Sequence, residues 1–209
     1  MGYRAGMSTH TDTDMDTRHP AHPRLAVVTG ADSGMGKAIA ELLASEGFDV
    51  GITFHTDESG AEDTRAAVEE RGQRCFVTRQ DQSEPDTGGV VDELAEQLGG
   101  LGVLVNNAGS GHRDRVLDLD YETWRHVLAT DLDGPFLCSK HAAKLMRDAG
   151  HGGRIINITS VHEHVPPSAP RRTAAPRPGS ACTPRSWRSS SPRTASTSRR
   201  SRPARSPPR

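Results

Sequence analysis

The stretch Leu25-Ala-Val-Val-Thr-Gly-Ala-Asp-Ser-Gly-Met-Gly-Lys37 passes from an apolar run through a glycine-rich loop into a helical pattern. Leu25 to Thr29 is typical of a buried strand, and Lys37 to Ala44 places its apolar residues on one helical face. The loop between them contains Gly30, Gly34 and Gly36. Glycine lets a backbone turn sharply and approach a ligand closely, and the start of a helix offers unpaired N–H groups to an anion. The stretch therefore predicts a strand, a phosphate-binding loop and a helix in succession.

The spacing of these glycines narrows the kinds of phosphate site that fit. A P-loop needs four residues between its first glycine and a Gly-Lys pair, followed by Ser or Thr for magnesium. Here five residues separate Gly30 from Gly36, and Ala38 follows Lys37. The loop also departs from the G-x-G-x-x-G pattern of many dinucleotide-binding proteins. The observed spacing is G-x-x-x-G-x-G. A phosphate-binding loop is one interpretation of it, and an ordinary strand-to-helix turn is the alternative.

Short apolar runs alternate with helical patterns as far as residue 158. The predicted strands are Leu25–Thr29, Asp49–Phe54, Arg74–Thr78, Val103–Val105 and Gly153–Ile158. The predicted helices are Lys37–Ala44, Ser59–Arg71, Gly89–Leu98 and a long region Tyr121–Arg147 that is interrupted near Asp133-Gly-Pro135. This alternation predicts an α/β fold, a doubly wound parallel sheet of the Rossmann type that is cut short after its fifth strand. Ligands of such sheets bind beyond the carboxyl ends of the strands.

Charge divides the chain into unlike segments. All 27 acidic residues and 15 of the 26 Lys and Arg precede residue 166, whereas residues 166–209 hold 11 Arg and no acid. We therefore expect a polar, disordered leader over 1–23, an ordered domain over 24–165 and a disordered Arg-, Pro- and Ser-rich tail over 166–209. A basic tail is a candidate for nucleic-acid binding, but Trp187 is its only aromatic residue and it matches no recognisable fold. Nucleic acid is therefore the less favoured partner.

The cysteines and histidines give no pattern of a metal site or of disulfides. Cys75, Cys138 and Cys182 are too widely spaced for a zinc motif, so we expect free thiols in a cytoplasmic protein. His162 and His164 form an H-x-H pair without an evident third ligand, and no metal is predicted. No apolar run is long enough to cross a membrane, and the N-terminus lacks the apolar core of a signal peptide.

Two loops together carry a family resemblance. Thr29-Gly-Ala-Asp-Ser-Gly-Met-Gly36 follows the first predicted strand, and Asn106-Asn-Ala-Gly109 follows the fourth. This pair resembles the short-chain dehydrogenases/reductases, over residues 24–165. The resemblance implies an NAD(P)-dependent oxidoreductase of a small alcohol or ketone that forms homo-oligomers. Ser160-Val-His-Glu163 looks most like bacterial glucose 1-dehydrogenases, and 3-oxoacyl-carrier-protein reductases share nearly everything else.

The resemblance also implies which residues contact the cofactor. In the two loops these are Gly30, Ser33, Gly34, Met35, Gly36, Asn107, Ala108 and Gly109. Asp81 stands where the family contacts the adenine, although an ordinary loop acid is the alternative. No acid ends the second strand, where one would bind the ribose of NAD, and His55 could face the extra phosphate of NADP instead. NADP is therefore slightly favoured over NAD, with a solvated role for His55 as the alternative.

The catalytic residues that the resemblance implies are incomplete. Ser160 matches the family serine that polarises the carbonyl, and Asp131 stands where the family has an Asn that supports a water relay. An ionised carboxylate cannot donate a hydrogen bond, so this relay is in doubt. The family's acid/base Tyr would fall at Thr173 and its Lys at Arg177. We therefore expect this chain to have negligible catalytic turnover.

The tail itself offers a reason for the missing pair. Its Arg, Pro, Ala and Ser enrichment is what a GC-rich gene gives in a wrong reading frame, and shifting the frame permits Tyr at Thr173 and Lys at Arg177. We therefore hypothesise that the chain is read out of frame from about residue 167. A cofactor-binding pseudoenzyme and an interaction protein with a genuine basic tail are the alternatives.

Overall fold

The computed structural model of this protein describes residues 22–111 and 117–160. The leader as far as residue 21 and the tail therefore lie outside the described residues, and so do Thr173, Arg177, Cys182 and the His162–His164 pair. The predictions made for those parts of the chain remain predictions.

Five strands alternate with helices in the described ranges. The strands are β1 Leu25–Val28, β2 Asp49–Phe54, β3 Cys75–Arg79, β4 Val103–Asn106 and β5 Arg154–Asn157. The helices are α1 Gly34–Ser45, α2 Glu58–Glu69, α3 Gly89–Leu98, α4 Tyr121–Leu128 and α5 Gly134–Asp148. A π-helical turn, Ala129–Asp133, lies between α4 and α5.

The strands form one parallel sheet in the order β3-β2-β1-β4-β5. In the register of β1, Val27 lies beside Gly51 of β2 on one side and beside Leu104 of β4 on the other. The chain runs outward from β1 through β2 to β3, then returns to build β4 and β5 on the other side. The predicted doubly wound α/β sheet is thus confirmed. Strand order reverses between β1 and β4, where such sheets leave a crevice at their carboxyl ends.

Helices cover both faces of the sheet, because successive side chains of a strand point to opposite faces. Val28 packs with Ala40 of α1 and Val68 of α2 in one buried cluster. Its neighbour Val27 packs with Leu94 of α3 and with residues of α5 in the other. Apolar residues therefore fill consecutive positions of β1, as is typical of a strand buried on both sides.

The long helical region is interrupted beside the predicted position, but the chain does not leave the helix there. The backbone instead widens into the π-helical turn and continues as α5. Pro135 lies in the first turn of α5, where its missing N–H group is tolerated. The π turn directs Asp131 inward, so that this carboxylate is only 9% exposed. The interruption is thus a local change of pitch that turns a charged side chain toward the sheet.

β5 is the last strand of the described sheet and is less covered than the others. Ile155 and Ile156 are 36% and 45% exposed, whereas Val27 and Val28 of β1 are fully buried. Among the described helices, none combines the length and the apolar character that crossing a bilayer requires.

Candidate nucleotide-binding site

The glycine loop leaves β1 at the carboxyl edge of the sheet and enters α1 at Gly34. Gly30 and Gly34 have φ angles of +61° and +56°, in the left-handed region that glycine adopts without strain. Ser33 precedes α1 in an extended conformation, and its side chain makes no capping hydrogen bond within the described structure. The N–H groups of the first turn therefore point into the space beside the loop.

Two glycines allow this loop to touch the loop that follows β4. A methyl group on Gly30 would lie 2.9 Å from Cα of Ala108, and one on Gly36 would lie 2.5 Å from Nδ2 of Asn107. Both distances are too short for real carbon contacts. By contrast, a methyl group on Gly34 would meet no atom within 4 Å. Gly30 and Gly36 thus allow close packing within the protein, while Gly34 faces open space.

Hydrogen bonds lock these two loops together. The hydroxyl of Thr29 accepts hydrogen bonds from the main-chain N–H groups of Asn107 and Ala108, both at 3.0 Å. The side-chain amide of Asn107 donates to the carbonyl oxygens of Thr29 at 3.0 Å and Gly30 at 2.7 Å. These contacts span 77 to 79 positions of the sequence. The two sequence motifs are therefore parts of one structure at the crevice.

The other Asn of the second motif serves the sheet. Nδ2 of Asn106 donates to Oδ1 of Asn157 at 2.8 Å and to the hydroxyl of Ser139 at 3.0 Å. These bonds join the ends of β4 and β5 to α5. Asn106 is therefore a structural residue at this edge of the sheet.

His55 and Asp81 meet beyond the ends of β2 and β3. Nε2 of His55 lies 3.4 Å from Oδ2 of Asp81, and both side chains are partly exposed. Hydrogen bonds from the side-chain hydroxyl and the main-chain N–H of Ser83 hold the pKa of Asp81 below its ordinary value, with a smaller contribution from the charge of His55. Arg79 donates from Nε to the carbonyl oxygen of His55 at 3.1 Å. Arg79 is not among the site residues predicted from the sequence, although a basic residue at the end of a neighbouring strand was a signal for it.

Asp131 reaches the same edge of the sheet from the π-helical turn. Its Oδ1 accepts a hydrogen bond from the main-chain N–H of Ser110 at 2.6 Å and another from its hydroxyl at 3.3 Å. Ser110 directly follows the Asn107–Gly109 loop. The carboxylate therefore anchors that loop to the helical layer, and a share in proton transfer stays a prediction.

The structure brings the predicted site residues to one edge of the sheet. Ser160 lies three positions beyond the end of β5 and is partly buried, and Met35 is 61% exposed on the first turn of α1. The remaining predicted residues follow the carboxyl ends of β1, β2, β3 and β4, except for Asp131, which joins them through Ser110. Within the described ranges, no three His, Cys, Asp or Glu side chains come together as a metal-binding group.

Comparison with known proteins gives a consistent result. The family model "short chain dehydrogenase" matches residues 24–170. The uncharacterized oxidoreductase YohF of Escherichia coli is 47% identical over 154 residues, which cover 73% of this chain and 61% of that protein. This chain thus spans less than two thirds of the length of that relative.

Solved structures agree in fold. Acetoin dehydrogenase YohF from Salmonella typhimurium is 45% identical with a TM-score of 0.67, over 71% of this chain and 58% of that one. A short chain dehydrogenase from Burkholderia cenocepacia in complex with NADP is 33% identical with a TM-score of 0.63, over 68% of this chain and 58% of that one.

Proposed function

Because this chain belongs to the short-chain dehydrogenase family, we propose that residues 24–165 are the cofactor-binding domain of an oxidoreductase that transfers hydride between a nicotinamide dinucleotide and an alcohol or ketone. The family resemblance of the two loops is thereby confirmed. One observation carries the functional proposal: the glycine loop is locked to the Asn107–Gly109 loop at the point where strand order reverses. In parallel sheets this crevice is where nucleotides bind.

The residues of the crevice fit a dinucleotide. Gly34 leaves its outward side open, so a pyrophosphate can approach the main chain there, next to the first N–H groups of α1. Ser33 and Met35 adjoin Gly34 in the sequence, and the loop that contains Ala108 lies against Gly30. When bound, the nicotinamide supplies or accepts the hydride. The protein contributes binding, orientation and the groups that stabilise charge on the substrate oxygen.

NADP is the preferred cofactor in this proposal. No carboxylate ends β2; His55 follows its last residue, and the guanidinium of Arg79 donates to the main-chain carbonyl oxygen of His55. Arg79 and His55 would pair with the extra phosphate of NADP, while Asp81 accepts two hydrogen bonds from Ser83 at Oδ1 and faces the His55 ring at 3.4 Å with Oδ2. Arg79→Ala should therefore weaken NADPH binding more than NADH binding. Equal weakening of both would contradict this preference.

The chemistry requires a proton donor that this chain lacks at the expected position. Ser160, beyond β5, would hydrogen-bond the substrate oxygen, and Asp131 would hold the Ser110 loop in place beside it. Thr173 and Arg177 stand where the family's Tyr and Lys are expected, outside the described residues. Loss of a general acid/base alone lowers rates about 10²–10⁴-fold. This chain therefore binds the cofactor and turns over very slowly.

Small hydroxyketones are the first substrates to examine. The similar Salmonella typhimurium protein is named an acetoin dehydrogenase. The substrate class proposed for the intact activity is accordingly a short-chain secondary alcohol or ketone.

The deciding experiment is a fluorescence titration of the full chain with NADPH and with NADH, followed by a turnover assay with acetoin and NADP. Saturable binding without turnover supports the proposal. If neither cofactor binds, the proposed cofactor site is wrong. If the chain oxidises acetoin rapidly, the proposed lack of activity is wrong. A parallel titration with DNA at two salt concentrations tests the basic tail, because phosphate binding weakens steeply as salt rises.

A further inference from the structure

A buried chain of hydrogen bonds runs beneath the glycine loop. The main-chain N–H of Gly30 donates to the hydroxyl of Thr53 at 3.0 Å, and that hydroxyl donates to Oε1 of Gln80 at 2.7 Å. Nε2 of Gln80 then donates to the hydroxyl of Thr87 at 2.8 Å and to its carbonyl oxygen at 3.2 Å. Thr53, Gln80 and Thr87 are 1%, 5% and 3% exposed. The chain thus connects the loop after β1 to the segment before α3.

The two ends of this chain fix the direction of every bond in it. The carbonyl oxygen of Thr87 can only accept, so the amide nitrogen of Gln80 must face it and Oε1 must face Thr53. An amide oxygen cannot donate, so the Thr53 hydroxyl must give its single proton to Gln80. The lone pairs of that hydroxyl are then left for the N–H of Gly30. A main-chain N–H can only donate, so the Gly30 end of the hydrogen-bond chain requires the same bond directions as the Thr87 end.

Further contacts hold the amide of Gln80 in this orientation. Nε2 of Gln80 also lies 3.4 Å from Sγ of Cys138 in α5, which is a weak further acceptor beside the two oxygens of Thr87. The main-chain N–H of Gln80 donates to the carbonyl oxygen of Phe54 at 2.8 Å, which fixes its backbone beside β2. Buried networks of this kind are rigid when every member has a partner.

We propose that Gln80 is a positioning residue for the glycine loop: by taking the proton of Thr53, it presents a fixed acceptor to Gly30 and holds that residue in its left-handed conformation. This inference rests on the proposed function in one respect, namely that the loop binds a dinucleotide. Gln80 does not itself reach the crevice, because it lies buried on the far side of Thr53. It acts on the cofactor only through Thr53 and Gly30.

Two pairs of variants test the proposal in the full chain. Gln80→Met removes the acceptor at nearly constant volume, while Gln82→Met removes an equally buried amide two positions away. The Gln82 amide makes only a long contact of 3.7 Å to Sγ of Cys138 among the described residues, and none to Thr53. Thr53→Val removes the hydroxyl, and Thr53→Ser restores it.

The first measurement is amide hydrogen exchange at Gly30, with Thr29 as the internal reference. The N–H of Thr29 donates to the carbonyl oxygen of Val105 at 3.0 Å and does not involve Gln80. Exchange at Gly30 should accelerate about tenfold relative to Thr29 in Gln80→Met and Thr53→Val, which is the effect of losing one ordinary hydrogen bond. It should stay unchanged in Gln82→Met and Thr53→Ser. A purely structural role would accelerate both amides together and would overturn the proposal.

The second measurement is the Kd for NADPH of the same variants. The Kd should rise about tenfold in Gln80→Met and in Thr53→Val, and it should recover in Thr53→Ser. A wild-type chain that binds no NADPH would refute the proposed function, while the exchange ratio would still decide the role of Gln80. Unchanged exchange at Gly30 in Gln80→Met refutes the positioning role even if NADPH binds normally.

Discussion

Replacing Gly36 by Ala should destabilise the protein far more than the same substitution at Gly34 in the same loop. The new methyl group would lie 2.5 Å from Nδ2 of Asn107 and 2.8 Å from Cα of Ala31, and it would also overlap the carbonyl oxygen of Gly30. Two of these three neighbours are main-chain atoms, which cannot rotate away as a flexible side chain would. The Asn107 amide must therefore leave its place, and the loop backbone must shift.

The magnitude follows from the contacts that are lost. Asn107 gives up hydrogen bonds of 3.0 and 2.7 Å to the two loop carbonyl oxygens, each of which contributes about 0.5–1.5 kcal/mol. Overpacking against fixed backbone adds about 1–3 kcal/mol. The free energy of unfolding should therefore fall by about 2–6 kcal/mol, a large part of the roughly 5–15 kcal/mol by which domains are stable.

Gly34→Ala is the matched control in the same loop. Its methyl group would meet no atom within 4 Å, so only the left-handed φ of +56° opposes the substitution. That conformation costs an alanine about 1–2 kcal/mol. Gly36→Ala thus measures the cost of steric overlap, and Gly34→Ala measures the cost of a left-handed backbone conformation in the same loop.

Urea unfolding of the full chain, followed by far-ultraviolet circular dichroism, measures both variants against the unsubstituted protein. The midpoint should fall much further for Gly36→Ala than for Gly34→Ala, with the same slope for each. Gly36→Ala should also lower the free energy of unfolding by less in an Asn107→Ala background, because the new methyl group then no longer overlaps the Asn107 amide. A Gly36→Ala variant as stable as Gly34→Ala would refute the reasoning from loop-to-loop contact.

The remaining predictions concern the start of the sheet and the buried thiols. Asp49→Asn should lower the free energy of unfolding by about 1 kcal/mol at pH 7, because Asp49 accepts hydrogen bonds from the main-chain N–H and the partly exposed guanidinium of Arg74. Burial raises the pKa of Asp49, but these bonds outweigh it and leave the pKa below its ordinary value of 3.8. The stabilisation by Asp49 should therefore be complete above pH 3.8 and disappear as pH falls through the lower pKa of the folded state. If the urea midpoints of the unsubstituted protein and Asp49→Asn differed as much at pH 2 as at pH 7, this prediction would be wrong. The thiols of Cys75 and Cys138 should not react with DTNB at pH 8 in a Cys182→Ser chain until urea unfolds it, because burial raises the pKa of both, that of Cys75 to about 12. Rapid labelling of the folded variant would contradict that burial.

Local pattern was sufficient to predict most of the elements. The predicted bounds of the strand Asp49–Phe54 and the helix Gly89–Leu98 are those of the structure, and the other predicted strands differ from it by a residue or two. Apolar runs and helical periodicity are properties of neighbouring residues, so they can be read without knowing the fold. The interrupted helix was less well determined, because a π turn and a break at Asp133-Gly-Pro135 give the same sequence signal.

The amino-acid sequence by itself determined the parallel sheet and the loop that follows its first strand, because strand periodicity and glycine spacing act over a few residues. The two matching motifs also determined the family. Only the tertiary structure decided what holds that loop, since Thr29 meets Asn107 across 78 positions and Thr53 meets Gln80 across 27. A buried hydroxyl or amide must find a partner wherever the packing places one, and its own sequence neighbourhood does not say which strand will lie alongside.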